Sequence, residues 1–424
     1  MKKIILSIVL CFSLFADAQT TRGIIGEVNW LNNWTNFKSK STVYKESSSL
    51  LVGVISQNTT LYKKDVYLLT GNVYVTNGAT LSIEPGTLIK GDYKTCGTLI
   101  VTKGAKILAL GDATDPIIFT SNKPQSERRA GDWGGIILFG ESITNKFTGR
   151  LDFNLEPYFN TYGGKNEQSD SGILNYVRIE FAGKKGKDFK ELNGLSLAGV
   201  GSKTIVQNIQ ISYSNGASFK CYGGTVSLDN LVSFRALGDD YSFAEGAQSK
   251  INNSVAVRNP YVSNTEKPRC FQIESYDIAS NADVTKKMTN VIAKNITLLN
   301  EENDNTGLTR EAIFVRENSF LTISNSMVSG FSQCVLLEGK IKASPENFEK
   351  VKLQMVQLNN CNGYIESENR ENNESVKEWY QSDKAMIEYS QANNVDVFME
   401  SDLKKSPDFR MKQNQILTTR LANN

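Results

Sequence analysis

The sequence predicts an all-β fold, a single right-handed parallel β-helix with an aromatic N-terminal cap and a mixed, partly helical C-terminal cap. Three observations predict it. The stretch "NVYVTNGATLSIEPG" (Asn72 to Gly86) aligns without gaps on "TLIVTKGAKILALGD" (Thr98 to Asp112), placing Val73 on Leu99, Val75 on Val101, Gly78 on Gly104 and Leu81 on Ile107. Each copy holds two short runs of apolar alternation around a glycine turn, the pattern of strand, turn and strand. Further on, "NYVRIEF", "NIQISYS", "NLVSFRA" and "NSVAVRN" begin at Asn175, Asn208, Asn230 and Asn253, with "SNSMVSGF" near Asn325.

A unit of 22 to 26 residues cannot bury its own apolar face, so stacking of successive units must close the core. At about 3.3 Å per residue, that period supplies three short strands and their turns, one coil of a parallel β-helix. A propeller blade needs roughly 40 residues or more. The boundaries expected are 1–18 for a signal peptide, 19–65 for an N-terminal cap, 66–340 for the β-helix and 341–424 for a C-terminal cap.

The ends are read from local chemistry. "MKKIILSIVLCFSLFADA" has two lysines, an apolar run and a small-residue Ala16-Asp17-Ala18 site, which reads as a cleaved export signal. The run is shorter than the roughly 20 apolar residues of a membrane span, and no later segment is apolar enough to be one. The expected location is the outer-membrane surface or the medium, with the periplasm as an alternative. Trp30, Trp34 and Phe37 in "WLNNWTNFKSKSTVY" are expected to seal the first coil. Ser344-Pro345 forms a helix N-cap and first-turn proline, and Ser375 with Glu378 a capping box before Val376, Trp379 and Tyr380.

Composition excludes more than it proposes. The 424-residue chain has no histidine, which removes Ser-His-Asp and Cys-His nucleophilic sites and histidine-bound metals. The formal charge is +2, so no basic face points to nucleic acid. The run from Gly183 to Lys190, "GKKGKDFK", reads as a solvated loop. Beyond Cys11 five cysteines remain, Cys96, Cys221, Cys270, Cys334 and Cys361. Their spacing matches neither a zinc site nor a disulfide framework, and free buried thiols, with at most one or two bridges, are expected.

The chemistry left open belongs to carboxylates, Lys, Arg, Tyr or an oxygen-bound cation. "SFRALGDDYSFAEG" offers Asp239, Asp240 and Glu245, with Arg235 nearby, as catalytic candidates. Adjacent strand residues point to opposite faces, so Asp239 and Asp240 could converge only in a turn. A glycosidase pair, separated by about 5 to 9.5 Å, would combine one of them with Glu245 or Glu274. A lyase would place Arg235 or Arg258 beside Ca²⁺ held by Asp240, Glu274 and Asp277, since Ca²⁺ wants 6 to 8 oxygens. Trp133, in "GDWGGII", offers a sugar-stacking ring, and Glu274 and Asp277 further ligand contacts. The plainer alternative is that these groups cap turns and pack corners, with Asp239 bonded to backbone N–H groups, Trp133 covering a coil edge, and Val232 and Phe234 facing inward.

"KDVYLLTGNVYVTNGATLSIEPGTLIKGD", "GDWGGIILFG", "LNYVRIEFAG", "ELNGLSLAGVGS" and "EAIFVRENSFLTISNSMVSGF" together resemble a family of secreted or lipid-anchored Bacteroidota surface proteins with a pectin-lyase-like β-helix. The resemblance covers about residues 29 to 340 and implies export and fold but no particular reaction. It also implies an acidic ladder at positions matching Gly238, Asp239, Asp240, Ser242 and Ala244, and one coil earlier at Gly216, Ala217 and Lys220. This chain keeps only Asp239 and Asp240 of that set. The depleted ladder and the missing histidine favour a non-catalytic protein that binds a polysaccharide or cell-envelope component. The alternative is a carboxylate-based lyase or hydrolase, with or without Ca²⁺.

Overall fold

The computed structural model describes residues 22–186, 191–263, 267–276, 278–302, 307–381 and 386–412. The expected export signal, Asp277 and residues 187–190 lie outside them. Among the described residues, twenty-four strands form one parallel hydrogen-bonded network, wound as a right-handed β-helix with three sheets. The repeat found in the sequence is the register of the structure: Val73 pairs with Leu99, Val75 with Val101 and Leu81 with Ile107.

Sheet 1 stacks Thr98–Val101, Gly135–Phe139, Leu195–Ala198, Phe219–Tyr222, Tyr241–Ala244, Phe271–Ile273, Glu311–Val315, Gln333–Leu337 and Gly363–Ser367. Sheets 2 and 3 share long bent strands such as Ile205–Ser212, Ser227–Phe234 and Gln248–Arg258. The bend falls on the asparagine of most repeats, and on Tyr176, one residue after Asn175, in the first of them. Asn208, Asn230, Asn253, Asn295 and Asn325 all have φ between 49° and 56°, a left-handed conformation that asparagine tolerates better than most residues. Their side chains also form a ladder, with Asn253 donating to Asn230 at 2.8 Å and Asn230 to Asn208 at 3.1 Å.

Alternation then assigns each side chain. Leu231 joins the interior core with Ile209, Phe219, Phe243 and Ile273. Val232 and Phe234 face the other way, into a second apolar cluster on the outside of sheet 3, and not inward as expected. The left-handed Asn230 resets the alternation there, which a reading by strict period 2 misses.

The second cluster corrects the picture of the ends. Ile24, Leu31, Trp34 and Phe37 do not seal the first coil; they lie along sheet 3 against Phe181, Tyr213, Phe234 and Val255. The N-terminal segment runs back along the helix as a strap. Gly23 N donates to Asn325 O at 2.9 Å, Asn36 N to Gln210 Oε1 at 2.6 Å, and Tyr44 OH to Glu180 at 2.9 Å. The antiparallel pair Phe398–Glu400 and Asp408–Met411 covers the same face, with Phe409 6.0 Å from Phe37. These rings face outward from the strands, so apolar character alone cannot say which side of the wall they serve.

The coils also run further than the expected 66–340. Ser49–Ile55 opens the first coil and Ile387–Ser390 belongs to the last. Helix Asn373–Gln381 packs Val376 and Tyr380 into the interior core, where the Tyr380 hydroxyl donates to Val351 O at 2.7 Å. This helix starts two residues before Ser375, so Ser375 is not its N-cap. Ser344 does cap its short helix, accepting from Asn347 N at 3.3 Å. All five described cysteines are free thiols.

Candidate functional site

Outward positions of sheet 1 form columns along the axis. In the early coils the column is apolar, with Tyr74, Ile100, Ile137 and Phe139 packed beneath Leu151, Leu155 and Tyr162 of the long loop that follows Phe139. Past the cover of that loop the column turns polar: Ser196, Lys220, Ser242 and Gln272 stand in register. A cleft of about 300 Å³ opens there, with Lys220, Tyr222, Glu245 and Glu274 on its floor. Phe153 and Asp152 contribute to one wall, and Tyr276 and Ile278 to the other.

The floor is held by charge pairing. Glu245 lies 3.3 Å from Lys146 Nζ and accepts a hydrogen bond from the Tyr162 hydroxyl. Burial pushes its carboxyl above the usual range, opposed by Lys146 and Tyr162. Glu274 Oε2 lies 2.8 Å from Arg316 Nη1, and Arg316 also reaches Glu338 at 3.3 Å. The Asn318 amide donates to the Tyr276 hydroxyl at 2.7 Å, fixing that ring at the rim.

Lys220 sits among these acids with its ammonium 5.1 Å from the Tyr222 ring. Burial works to lower its pKa, but the nearby acids Glu274, Asp239 and Glu245 outweigh it and the pKa rises. Lys220 therefore stays protonated and serves as a hydrogen-bond donor, not a base.

The remaining sequence candidates separate in space. Asp240 is sealed from solvent with Arg258, the two side chains 2.7 Å apart and both 0% exposed. Ser233 Oγ donates to Asp240, and Arg258 Nη1 donates also to Gly238 O at 3.0 Å. The pair plugs the corner between sheets 3 and 1, so neither group can meet a substrate. Arg235 is on the strap side, forked onto Glu301. Asp239 is half-buried and accepts from Arg269 N at 2.9 Å. Burial pushes its carboxyl up to about 6, against the pull of that amide, Lys220 and Arg258.

Trp133 is a correction. It has no exposed surface, lies near-parallel to Phe119 at 6.3 Å and donates its indole N–H to Glu180 O at 2.8 Å. Gly91 makes room for it, since a Cβ there would lie 2.5 Å from the ring. A ring so enclosed cannot stack on a sugar. For calcium, the two described candidates do not converge, because Asp240 faces Arg258 inside and Glu274 faces Arg316 outside. Among the described residues no group of three or more His, Cys, Asp or Glu could hold a metal ion.

Sequence reasoning missed Lys146, Tyr162, Tyr222, Tyr276 and Arg316 as parts of the site. Tyr222 was readable, because Lys220 and Tyr222 alternate with the inward Phe219 and Cys221. Lys146 and Tyr162 come from a loop with no periodicity to place them.

A family model for the pectate-lyase-like beta helix domain matches residues 53–400. No curated protein and no solved structure matches the chain.

Proposed function

The chain belongs to the pectate-lyase-like beta helix family, and on that premise we propose that it is an exported surface or extracellular protein whose sheet 1 cleft binds a glycan without cleaving it. The observation that carries this reading is the state of the floor. Lys220 is held protonated, and Glu245 and Glu274 are each engaged by a cation. Fixed carboxylates accept hydrogen bonds from sugar hydroxyls and an ammonium donates to ring or hydroxyl oxygens, while the rim rings of Phe153 and Tyr276 offer apolar faces to a pyranose.

The cleft falls on the acidic ladder that the sequence resemblance implied. Lys220, Ser242 and Ala244 occupy its outward positions, so acids are replaced where relatives would concentrate them. One observation favours a hydrolytic alternative. Glu245 lines the cleft with its carboxyl pushed above the usual range by burial, as a general acid requires.

The test is retardation of the mature protein in gels containing neutral or acidic polysaccharides. It is paired with assays for new reducing ends and unsaturated products, run with Ca²⁺ and with chelator. The expected result is retardation without product, lost in Glu274→Gln. Product formation abolished by Glu245→Gln would establish the enzyme instead.

A further inference from the structure

One and two coils beyond the cleft floor, the turns after Glu311–Val315 and Gln333–Leu337 enclose a second cleft of about 230 Å³. Its lining includes Lys340, Lys342, Lys350, Ser319 and Asn347, with Glu317 as its acid. Arg316 borders it too, but its guanidinium is engaged by Glu274 and Glu338. No ion pair to a described carboxylate forms at Lys340, Lys342 or Lys350. Nearby Lys352, by contrast, lies 3.5 Å from Glu349.

The lysines stand on an anchored segment. Ile341 N donates to Glu338 O at 3.0 Å, Asn347 Nδ2 to Lys342 O at 3.0 Å, and Asn372 Nδ2 to Ile341 O at 3.0 Å. Lys350 Nζ is drawn in by Asn347 Oδ1 at 2.9 Å. Glu338 and Glu368 also flank these turns, but Glu338 is engaged by Arg316 and Glu317 N and Glu368 by Gly339 N at 3.1 Å, so the three lysines of the lining, with Glu317 as its one acid, leave a positive potential at the cleft.

We propose that this second cleft binds a sulfate or phosphate group. Lysine ammoniums bind phosphate and sulfate oxygens as point charges, without the bidentate fork that a guanidinium would offer to a carboxylate or a phosphate. Here the fork of Arg316 is already filled by two glutamates. The group is either a free anion or a substituent on a glycan lying across both clefts, and the two sources are separable.

The experiment titrates inorganic sulfate and inorganic phosphate into the mature protein at low ionic strength, by calorimetry. The expected result is saturable binding that weakens as sodium chloride is added. It should be about fivefold weaker in the Lys340→Gln/Lys342→Gln double variant, the scale of two exposed charge contacts. Both lysines are exposed, so an unchanged melting temperature confirms that the double variant is folded. Absence of saturable binding by either anion, or equal affinity in the double variant, overturns the proposal. A second arm compares a sulfated oligosaccharide with its desulfated counterpart. Tighter binding of the sulfated form, lost in the double variant, identifies a glycan-borne group; equal binding of the two, with inorganic sulfate still bound, identifies a free anion. The anion titration uses no glycan, so its failure is distinct from failure of the glycan reading.

Discussion

Two arginine–carboxylate pairs of the same chemistry have opposite roles. Arg258 and Asp240 meet in a corner of the wall with both side chains 0% exposed, whereas Arg316 and Glu274 meet at the cleft with 23% and 12% exposed. The first pair is sealed, with Asp240 accepting from Ser233 Oγ and Arg258 donating to Gly238 O and Ala236 O inside the wall. The second keeps edges turned to solvent and shares Arg316 with Glu338. Burial, not residue type, separates a structural ion pair from one that can meet a ligand.

The comparison breaks most readily at its buried end. Arg258→Ala should cost about 3–5 kcal/mol, because it strands the Asp240 carboxylate inside. Arg316→Ala should cost about 1 kcal/mol or less. Chemical denaturation of both variants checks this, and equal losses would erase the distinction.

The strap gives the next largest effect. Trp34 is 1% exposed and lies in edge contact with Tyr176 at 5.8 Å. Trp34→Ala should cost about 3 kcal/mol, measured by the same denaturation. A loss below about 0.5 kcal/mol would mean that the strap is an ornament and not part of the core.

Asp239 tests the boundary between the two regions through pH. Its folded pKa, about 6, lies above the ordinary 3.8, so between those values the folded state holds more protons than the unfolded. Its contribution is therefore fully present below about pH 4 and is lost as pH rises to about 6. Asp239→Asn should flatten that part of the stability–pH profile and keep the Arg269 amide bond. An unchanged slope would contradict the burial assigned to this group.

The smallest effect is the sharpest. Lys220 lowers the pKa of Asp239, so Lys220→Met should move that titration still higher, read by NMR of a carboxyl-labelled sample. No movement would place Lys220 outside the field of the cleft.

Much of the fold was legible in the sequence, for a physical reason. The asparagine at the head of the repeats from Asn208 onward is the left-handed bend, the Asn175 repeat bending at Tyr176 instead, and the 26-residue offset is the strand register itself. The strap and the closing strand pair were not legible, because Phe37, Phe234 and Phe409 look like interior residues while packing outside the wall. At the site, Glu245 and Glu274 were found by charge. Asp240 was misplaced because adjacent acids look alike in a sequence, and only the fold turns one inward. For Trp133 the sequence left a sugar platform and a packed coil edge both open, because nothing in "GDWGGII" reveals that Gly91 in another coil makes room for the ring and buries it.

The most direct test of the cleft is calorimetric titration of the wild type and Lys220→Met with the polysaccharide that retards the wild type most. The expected result is saturable binding with no product, weakened about tenfold or more by loss of a charged hydrogen bond. Unchanged affinity in Lys220→Met, or a sustained heat of turnover in the wild type, would contradict a binding cleft at this place.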